Sequence, residues 1–335
     1  MTVCSPVRLR RLFSSGHTAR FRVLFFGTSS FAVPSLEALC AAGCDLTLVT
    51  RSPKRTGRGN KQLKVSATEE SGIVKDVVYI DKPSEFVKLR GVYDLIVAVS
   101  YGMFIPPQII DSSRFGGLNA HPSILPRHQG TSPIQYTILN RDPVTGVSVQ
   151  TLDPHEFDKG QVLKYSDLVS VADRESSVSL AEKLVQPAAT VLSETVVGIE
   201  RTNSLTVSAE QESENERILG EYKLRMQLTD ISSKTKKVTA ESAKADFSKP
   251  AEHLDAQYRA FGKLWGAKQD GSRVLLEVEG CDTLGEEHAP GTFFVDEGNV
   301  YIKAGVGSVK VARIKPEGKP FVDAQNLYAK IGSLW

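Results

Sequence analysis

Apolar runs alternate with amphipathic stretches through the first two thirds of the chain. Arg22-Val23-Leu24-Phe25-Phe26-Gly27 is apolar after its first residue and ends in glycine, which predicts a strand buried on both faces. Val33–Ala42 puts Val33, Leu36, Leu39 and Cys40 on one helical face, with Gly43 as a stop signal. Leu46–Thr50, Val77–Ile80, Leu95–Val99 and Gly117–His121 read as further strands, the last preceded by a short helical stretch that Asp111–Ser113 closes. Val178–Val197 returns to a helical period. Strands alternating with helices predict a mostly parallel sheet with right-handed crossovers, so residues 21–200 are expected to form one open α/β domain.

The pattern then breaks. Thr202–Glu221 is polar, with Glu210, Glu212, Glu214 and Glu216 at alternate positions, and residues 201–240 read as a solvated linker. Beyond it the texture is that of short strands. Pro250–Phe261 is a helix with proline in its first turn, and Arg273–Glu279, Gly291–Val295, Asn299–Lys303 and Ser308–Ile314 follow, separated by Gly, Pro and Asp. Residues 241–335 are therefore expected to form a small β-barrel.

Length and composition agree with two soluble domains: 335 residues, 41% hydrophobic and 24% charged. No apolar run approaches the ~18–20 residues of a membrane span, and no membrane partner is expected. Cys4, Cys40, Cys44 and Cys281 form no CxxC pair, which argues against a zinc knuckle or a disulfide framework. The net charge of +2 says little, but its distribution says more. The first acidic residue is Glu37, and before it stand Arg8, Arg10, Arg11, Arg20 and Arg22, with Ser5, Ser14 and Ser15 among them. Val7, Leu9, Leu12 and Phe13 gather partly on one side of a helix. That is the composition of a mitochondrial transit peptide, expected over residues 1–20, with the mature protein in the mitochondrial matrix; a basic tail is the alternative.

Chemistry concentrates on the carboxyl edge of the predicted sheet, where open α/β folds place ligands. The first turn, Gly27–Pro34, has one glycine where a dinucleotide site needs three, and Arg51 stands where such a site needs an acid. A nicotinamide oxidoreductase is thereby disfavoured. Asn119 and His121 alternate at a strand end and project to one side, before a loop kept out of helix by Pro122, Pro126, Gly130 and Pro133. A carboxamide donor beside an imidazole can polarise a carbonyl and move a proton. His17, His128, His155, His253 and His288 lack such company and read as surface or loop residues.

Asn119–Ile134 resembles the signature of the formyltransferases that use 10-formyltetrahydrofolate, and Gly146–Gln150 with Leu152–Gly160 resembles their second signature strand and loop. The resemblance extends to Phe26–Pro34, Arg55–Lys61, Tyr101–Pro106, Phe247–Phe261 and Lys315–Lys319, roughly residues 22–334. It implies a Rossmann-like sheet followed by an OB-like C-terminal barrel. It also implies Asn119, His121 and Asp158 as catalytic residues, Asp158 rather than Asp153 being the motif aspartate. Tyr101, Gly102, Ser123, Leu125 and Pro126 would bind 10-formyltetrahydrofolate as co-substrate, without a metal. One departure is Gln129, where the family usually carries arginine; His128 or Arg127 is a partial substitute.

The acceptor is read separately. Arg51, Lys54, Arg55, Arg58, Lys61 and Lys64 fall in an acid-free stretch made flexible by Gly57 and Gly59. It resembles the loop by which members acting on initiator methionyl-tRNA hold that RNA, with Arg58 foremost. Residues 301–319 carry Lys303, Lys310, Arg313, Lys315 and Lys319 against Glu317 alone, a basic edge suited to a nucleic-acid backbone, with Lys310 and Arg313 the expected contacts. A monomer is expected. Two other readings stay open: a folate-dependent formyltransferase of a small amine, and a non-catalytic RNA-binding relative.

Overall fold

The computed structural model describes residues 20–56, 62–89 and 91–334. The basic leader, Arg58 and Lys61 lie outside the described residues.

The first domain runs β1 (Arg22–Gly27), α1 (Val33–Ala41), β2 (Asp45–Thr50), a hairpin of β3 (Lys54–Thr56) and β4 (Gln62–Lys64), α2 (Ala67–Glu70), β5 (Val77–Tyr79), β6 (Leu95–Val99), α3 (Pro107–Ile110) and β7 (Gly117–His121). It continues through α4 (Pro133–Leu139), β8 (Val144–Thr145), β9 (Ser148–Thr151), β10 (Val162–Tyr165), β11 (Val169–Ser170) and α5 (Ser177–Thr202). The main sheet has the order β10-β9-β7-β6-β1-β2-β5. The pairs from β5 across to β7 are parallel, as the alternating pattern predicts. The β9 and β10 pairings are antiparallel.

Period-two alternation sorts each central strand between two cores. Val23 and Phe25 of β1, with Leu95 and Val97 of β6, face the layer of α1 and α5. Leu24, Phe26, Ile96 and Ala98 face the opposite layer, where Phe86, Tyr101 and Ile105 pack. Such burial on both faces is why these strands read as continuous apolar runs.

The expected linker is largely helical. Helix α6 (Ala209–Met226) starts at Ser208, whose side chain accepts the Gln211 N–H. Its glutamates are the solvent face: Arg217 pairs with Glu214 and Glu221 one turn either side. Ile218 and Tyr222 are its buried face, packed with Ile124, Val144, Tyr165 and Ile231. Two apolar anchors in 18 residues give too weak a stripe to see in the sequence. Residues 231–237 then run as a strap along the loop that follows β7.

The second domain opens with α7 (Ala251–Phe261) and continues with β12 (Leu264–Ala267), β13 (Arg273–Asp282), β14 (Phe293–Asp296), β15 (Asn299–Lys303), β16 (Ser308–Pro316) and β17 (Val322–Asp323) before α8 (Tyr328–Ile331). These strands make one antiparallel sheet, ordered β12-β13-β16-β15-β14 with β17 beside β16. Leu254, Leu264, Leu276, Ile302, Val309 and Ile314 form its core. Two arginines tie the domains together: Arg174 of the first donates to Asp255 of α7 at 2.6 Å, and Arg259, held to Asp255 within α7 at 2.8 Å, donates to the Glu175 carbonyl at 2.7 Å.

Candidate active site

Strand β7 delivers Asn119 and His121 to the carboxyl edge of the parallel strands. Antiparallel β9 completes the arrangement by register, Gln150 opposite Asn119 and Ser148 opposite His121. The loop after β9 carries Asp158 back over both. Asp153 holds that loop's first turn, its Oδ1 accepting the N–H groups of His155 and Glu156 at 2.8 Å each. Gly160 lets the loop close, since a Cβ there would fall 1.8 Å from the Thr151 carbonyl oxygen.

Asp158, not Asp153, is the carboxylate that meets the histidine. Its Oδ1 lies 3.3 Å from His121 Nδ1. Oδ1 also accepts from Asn119 Nδ2 at 3.2 Å and from Gln150 Nε2 at 2.7 Å, and Oδ2 accepts the Gly130 N–H at 2.7 Å. His121 is buried, and its Nε2 faces the His128 carbonyl at 3.0 Å. Both ring nitrogens therefore look at acceptors. A neutral imidazole can donate to one of them, and an imidazolium to both. Burial depresses the His121 pKa, while Asp158 and the His128 carbonyl pull it upward; the net shift is downward. The resting ring is neutral at physiological pH, with two partners ready to stabilise a proton that arrives.

Beside this cluster is a cavity of about 80 Å³, lined by Tyr101, Gly102, Met103, Asn119, Gln150 and Asp158 among others. Phe104 and Phe157 meet edge to face at 5.3 Å on its rim. Tyr101 Oη and Gln150 Oε1 are buried without a hydrogen-bond partner among the described residues. Burial raises the Tyr101 pKa to about 12, so its hydroxyl stays protonated and can donate.

The other sequence-predicted residues fall in three groups. Tyr101 and Gly102 border the cavity. Ser123, Leu125 and Pro126 do not: Ser123 Oγ donates to the Arg127 carbonyl at 2.6 Å, and the Leu125 N–H to Ser148 Oγ at 2.9 Å, so they shape the loop from behind. Among the basic residues, Arg51 is spoken for, donating to the Asp81 carbonyl at 2.8 Å and lying 5.5 Å from the Tyr101 ring centre. Lys54, Arg55 and Lys64 stand exposed on the hairpin, with no salt bridge among the described residues and with Lys54 directly opposite Lys64. In the second domain, Lys310 pairs with Glu279 at 3.3 Å and Arg313 with Glu277 at 3.4 Å, while Lys303 is buried against Glu286. The basic edge read from residues 301–319 is thus partly neutralised by acids of the neighbouring β13, which lie too far off in sequence to count against it.

His128 is the residue that the sequence misplaces. It is buried, with Nε2 2.6 Å from Asp142 Oδ2, and Arg127 grips the same carboxylate. Neither stands in for the arginine that Gln129 replaces, because both turn inward. Gln129 is itself buried, its Oε1 without a partner among the described residues. No local signal marks Asp142 as the partner of His128, since α4 lies between them.

An open α/β sheet with Asn, His and Asp converging at its carboxyl edge can polarise a carbonyl and move a proton, and likeness to known proteins gives the class. The chain matches the family Formyl transferase over residues 19–196 and the family Formyl transferase, C-terminal domain, over residues 237–332. It belongs to the formyl transferase family and is an enzyme of that family. The methionyl-tRNA formyltransferase of Methylococcus capsulatus is 29% identical over 313 residues, 91% of this chain and 95% of that protein. Among solved structures, the sugar 3N-formyl transferase WlaRD, determined with dTDP and 5-N-formyl-THF, shares the fold with a TM-score of 0.58 at 15% identity, covering 90% of this chain and 100% of that one. A HypX variant from Aquifex aeolicus gives 0.57 at 14% identity, covering 93% of this chain and 48% of that one, so the chain spans about half of HypX.

Proposed function

We infer that the protein transfers the formyl group of 10-formyltetrahydrofolate to the amino group of initiator methionyl-tRNA. The buried Asn119–His121–Asp158 cluster beside the Tyr101 cavity carries this reading. Likeness to methionyl-tRNA formyltransferases along nine tenths of the chain supports the acceptor, as does the exposed cationic hairpin.

The neutral amine of the acceptor attacks the formyl carbon, forming the new C–N bond and a tetrahedral oxyanion. Asn119 spends one amide hydrogen on Asp158 and has a second for that oxyanion. With Nε2–H on the His128 carbonyl, His121 takes the proton that the attacking amine releases on Nδ1 and returns one to N10 of the folate as the old C–N bond breaks. Asp158 stabilises the imidazolium between those events. Tyr101 Oη and Gln150 Oε1, unpaired among the described residues, are polar atoms suited to the polar edges of the donor's ring. The acidic tetrahydrofolate tail and the RNA phosphates both favour a cationic rim, so acceptor choice must be tested directly. Labelled formyl transfer to charged initiator tRNA, with glycinamide ribonucleotide as the competing small amine, decides it; preference for the small amine overturns the tRNA reading.

The arginine-rich, acid-free leader supports a place in the mitochondrial matrix, where the reaction would serve translation initiation. Residues 1–22 fused to a reporter should direct it to mitochondria, and a mature organellar protein should begin near Ser14. A cytosolic reporter would remove the localisation.

A further inference from the structure

Behind the candidate site lies a second histidine–carboxylate pair that formyl transfer does not use. His128 and Asp142 are 1% and 3% exposed. Arg127 holds Asp142 with Nε at 2.9 Å and Nη2 at 2.6 Å, and His128 Nε2 stands 2.6 Å from the same carboxylate. Burial pushes the Asp142 carboxyl upward, but the bonds from His128 and Arg127 outweigh it and keep the group below the usual carboxylate range. Asp142 is therefore an ionised acceptor, and His128 donates to it through Nε2–H. The opposite ring atom, Nδ1, is 3.3 Å from Ser233 Oγ, which also accepts the His128 backbone N–H at 2.9 Å.

His128 is thus gripped by ring and backbone together, in a left-handed conformation (φ 57°) that a non-glycine residue keeps only where its surroundings impose it. The result of that grip is the direction of its carbonyl, which faces His121 Nε2 at 3.0 Å.

Ser233 belongs to the strap between α6 and the second domain. The strap is laced to the loop along its length. Gln129 N–H donates to the Ser233 carbonyl at 2.8 Å, Thr235 N–H to the Gln129 carbonyl at 2.7 Å, and Ser132 N–H to Thr235 Oγ1 at 3.2 Å. Gly130 permits this closeness, since a Cβ there would stand 2.7 Å from the Thr235 carbonyl oxygen.

We propose that His128 and Ser233 are positioning residues for His121. The strap joining the two domains holds the His128 carbonyl on His121 Nε2 and so sets which ring nitrogen carries the proton. The proposal rests on the reading of His121 as the proton-transfer group. The titratable groups facing that ring are Asp158, from the loop after β9, and His128 itself; Asn119 and Gln150 complete the cluster as neutral amides. An accepting carbonyl favours the protonated ring, so its displacement lowers the His121 pKa.

The test is Ser233→Ala in the full chain, with Ser233→Thr as the variant that restores the hydroxyl. We expect kcat to fall about tenfold, the net contribution of one hydrogen bond. KM for the folate donor is unchanged, and the kinetic pKa assigned to His121 moves down. The ¹⁵N resonances of the His121 ring shift toward the other tautomer, and Ser233→Thr recovers the wild-type values. His128→Asn, which tolerates the left-handed backbone but loses the ring's bond to Asp142, gives the same readouts should Ser233→Ala not fold. Unmoved ¹⁵N resonances together with a wild-type pH profile overturn the proposal, even if turnover drops. The ¹⁵N readout is independent of activity. A His121→Ala protein that still transfers formyl would therefore defeat the catalytic reading without deciding the role of the strap.

Discussion

A histidine kept neutral by burial, with an acceptor on each side, has a defined response to acid. The folded-state pKa of His121 lies below its usual 6.5. Below about that pH the unfolded chain binds a proton that the folded chain refuses, so stability falls as pH drops. His253, also depressed by burial, contributes in the same direction. Asp142, held below 3.8, adds stability that is complete above that value and is lost as pH falls through its folded pKa. Denaturant unfolding between pH 8 and 5 should show declining stability, and His121→Gln should flatten part of that slope. In catalysis, His121→Ala should reduce kcat by at least about a hundredfold while leaving tRNA affinity close to wild type, with a lowered melting temperature because the buried ring leaves a cavity. Asp158→Asn should fold and turn over poorly. Asp142→Ala should cost about 3–5 kcal/mol, because it strands buried His128 and half-buried Arg127 without their carboxylate. Arg141→Ala, which breaks the exposed pair with Glu252, should cost no more than about 1 kcal/mol. Urea titrations of the two variants give that contrast.

At the scale of elements, the β3–β4 hairpin and the loop after β7 divide the work. The loop is fixed by the strap, by Arg127 and by Asp158. The hairpin places Lys54 opposite Lys64, and that like-charge pairing favours an anionic ligand between them. Replacing Lys54, Arg55 and Lys64 by glutamine should flatten the dependence of tRNA affinity on log salt, since fewer counterions are released, and leave folate affinity unchanged. Equal salt slopes would assign the hairpin another role. In the first domain β1, α1, β2, β5, β6, β7 and α5 are legible because each keeps one period over its element, whereas β3, β4, α2, α4, β8, β10 and β11 are too short to show one. Helix α6 was not, because its glutamates outnumber its two buried anchors. Strand β12 (Leu264–Ala267) was missed because four residues are too few to show alternation.

At the scale of the molecule, buried Asp255 of α7 joins the domains by accepting from Arg174 of the first, and it holds Arg259 of its own helix, which donates to the Glu175 carbonyl. Asp255→Ala should loosen that joint by about 3 kcal/mol or more. Calorimetry should then show the two domains melting as separate transitions where the wild type melts as one. A single transition at the wild-type temperature would mean that packing of α4 against α7 holds the domains without it.

The sequence by itself determined the α/β core, the two-domain order, and Asn119 and His121 on one side of a strand end, because those features follow from periodicity along a single segment. Resemblance supplied Asp158 and the chemistry. Tertiary structure alone decided that Gln150 supports Asp158, since that depends on an antiparallel register between β7 and β9. It decided that Lys310 and Arg313 are paired, since their acids sit on another strand. It also decided that His128, outwardly a loop residue, is buried between Asp142 and Ser233, the latter 105 positions away. A partner brought in by chain crossover leaves no mark on local hydrophobic pattern. Burial and charge neutralisation are therefore properties of the assembled fold.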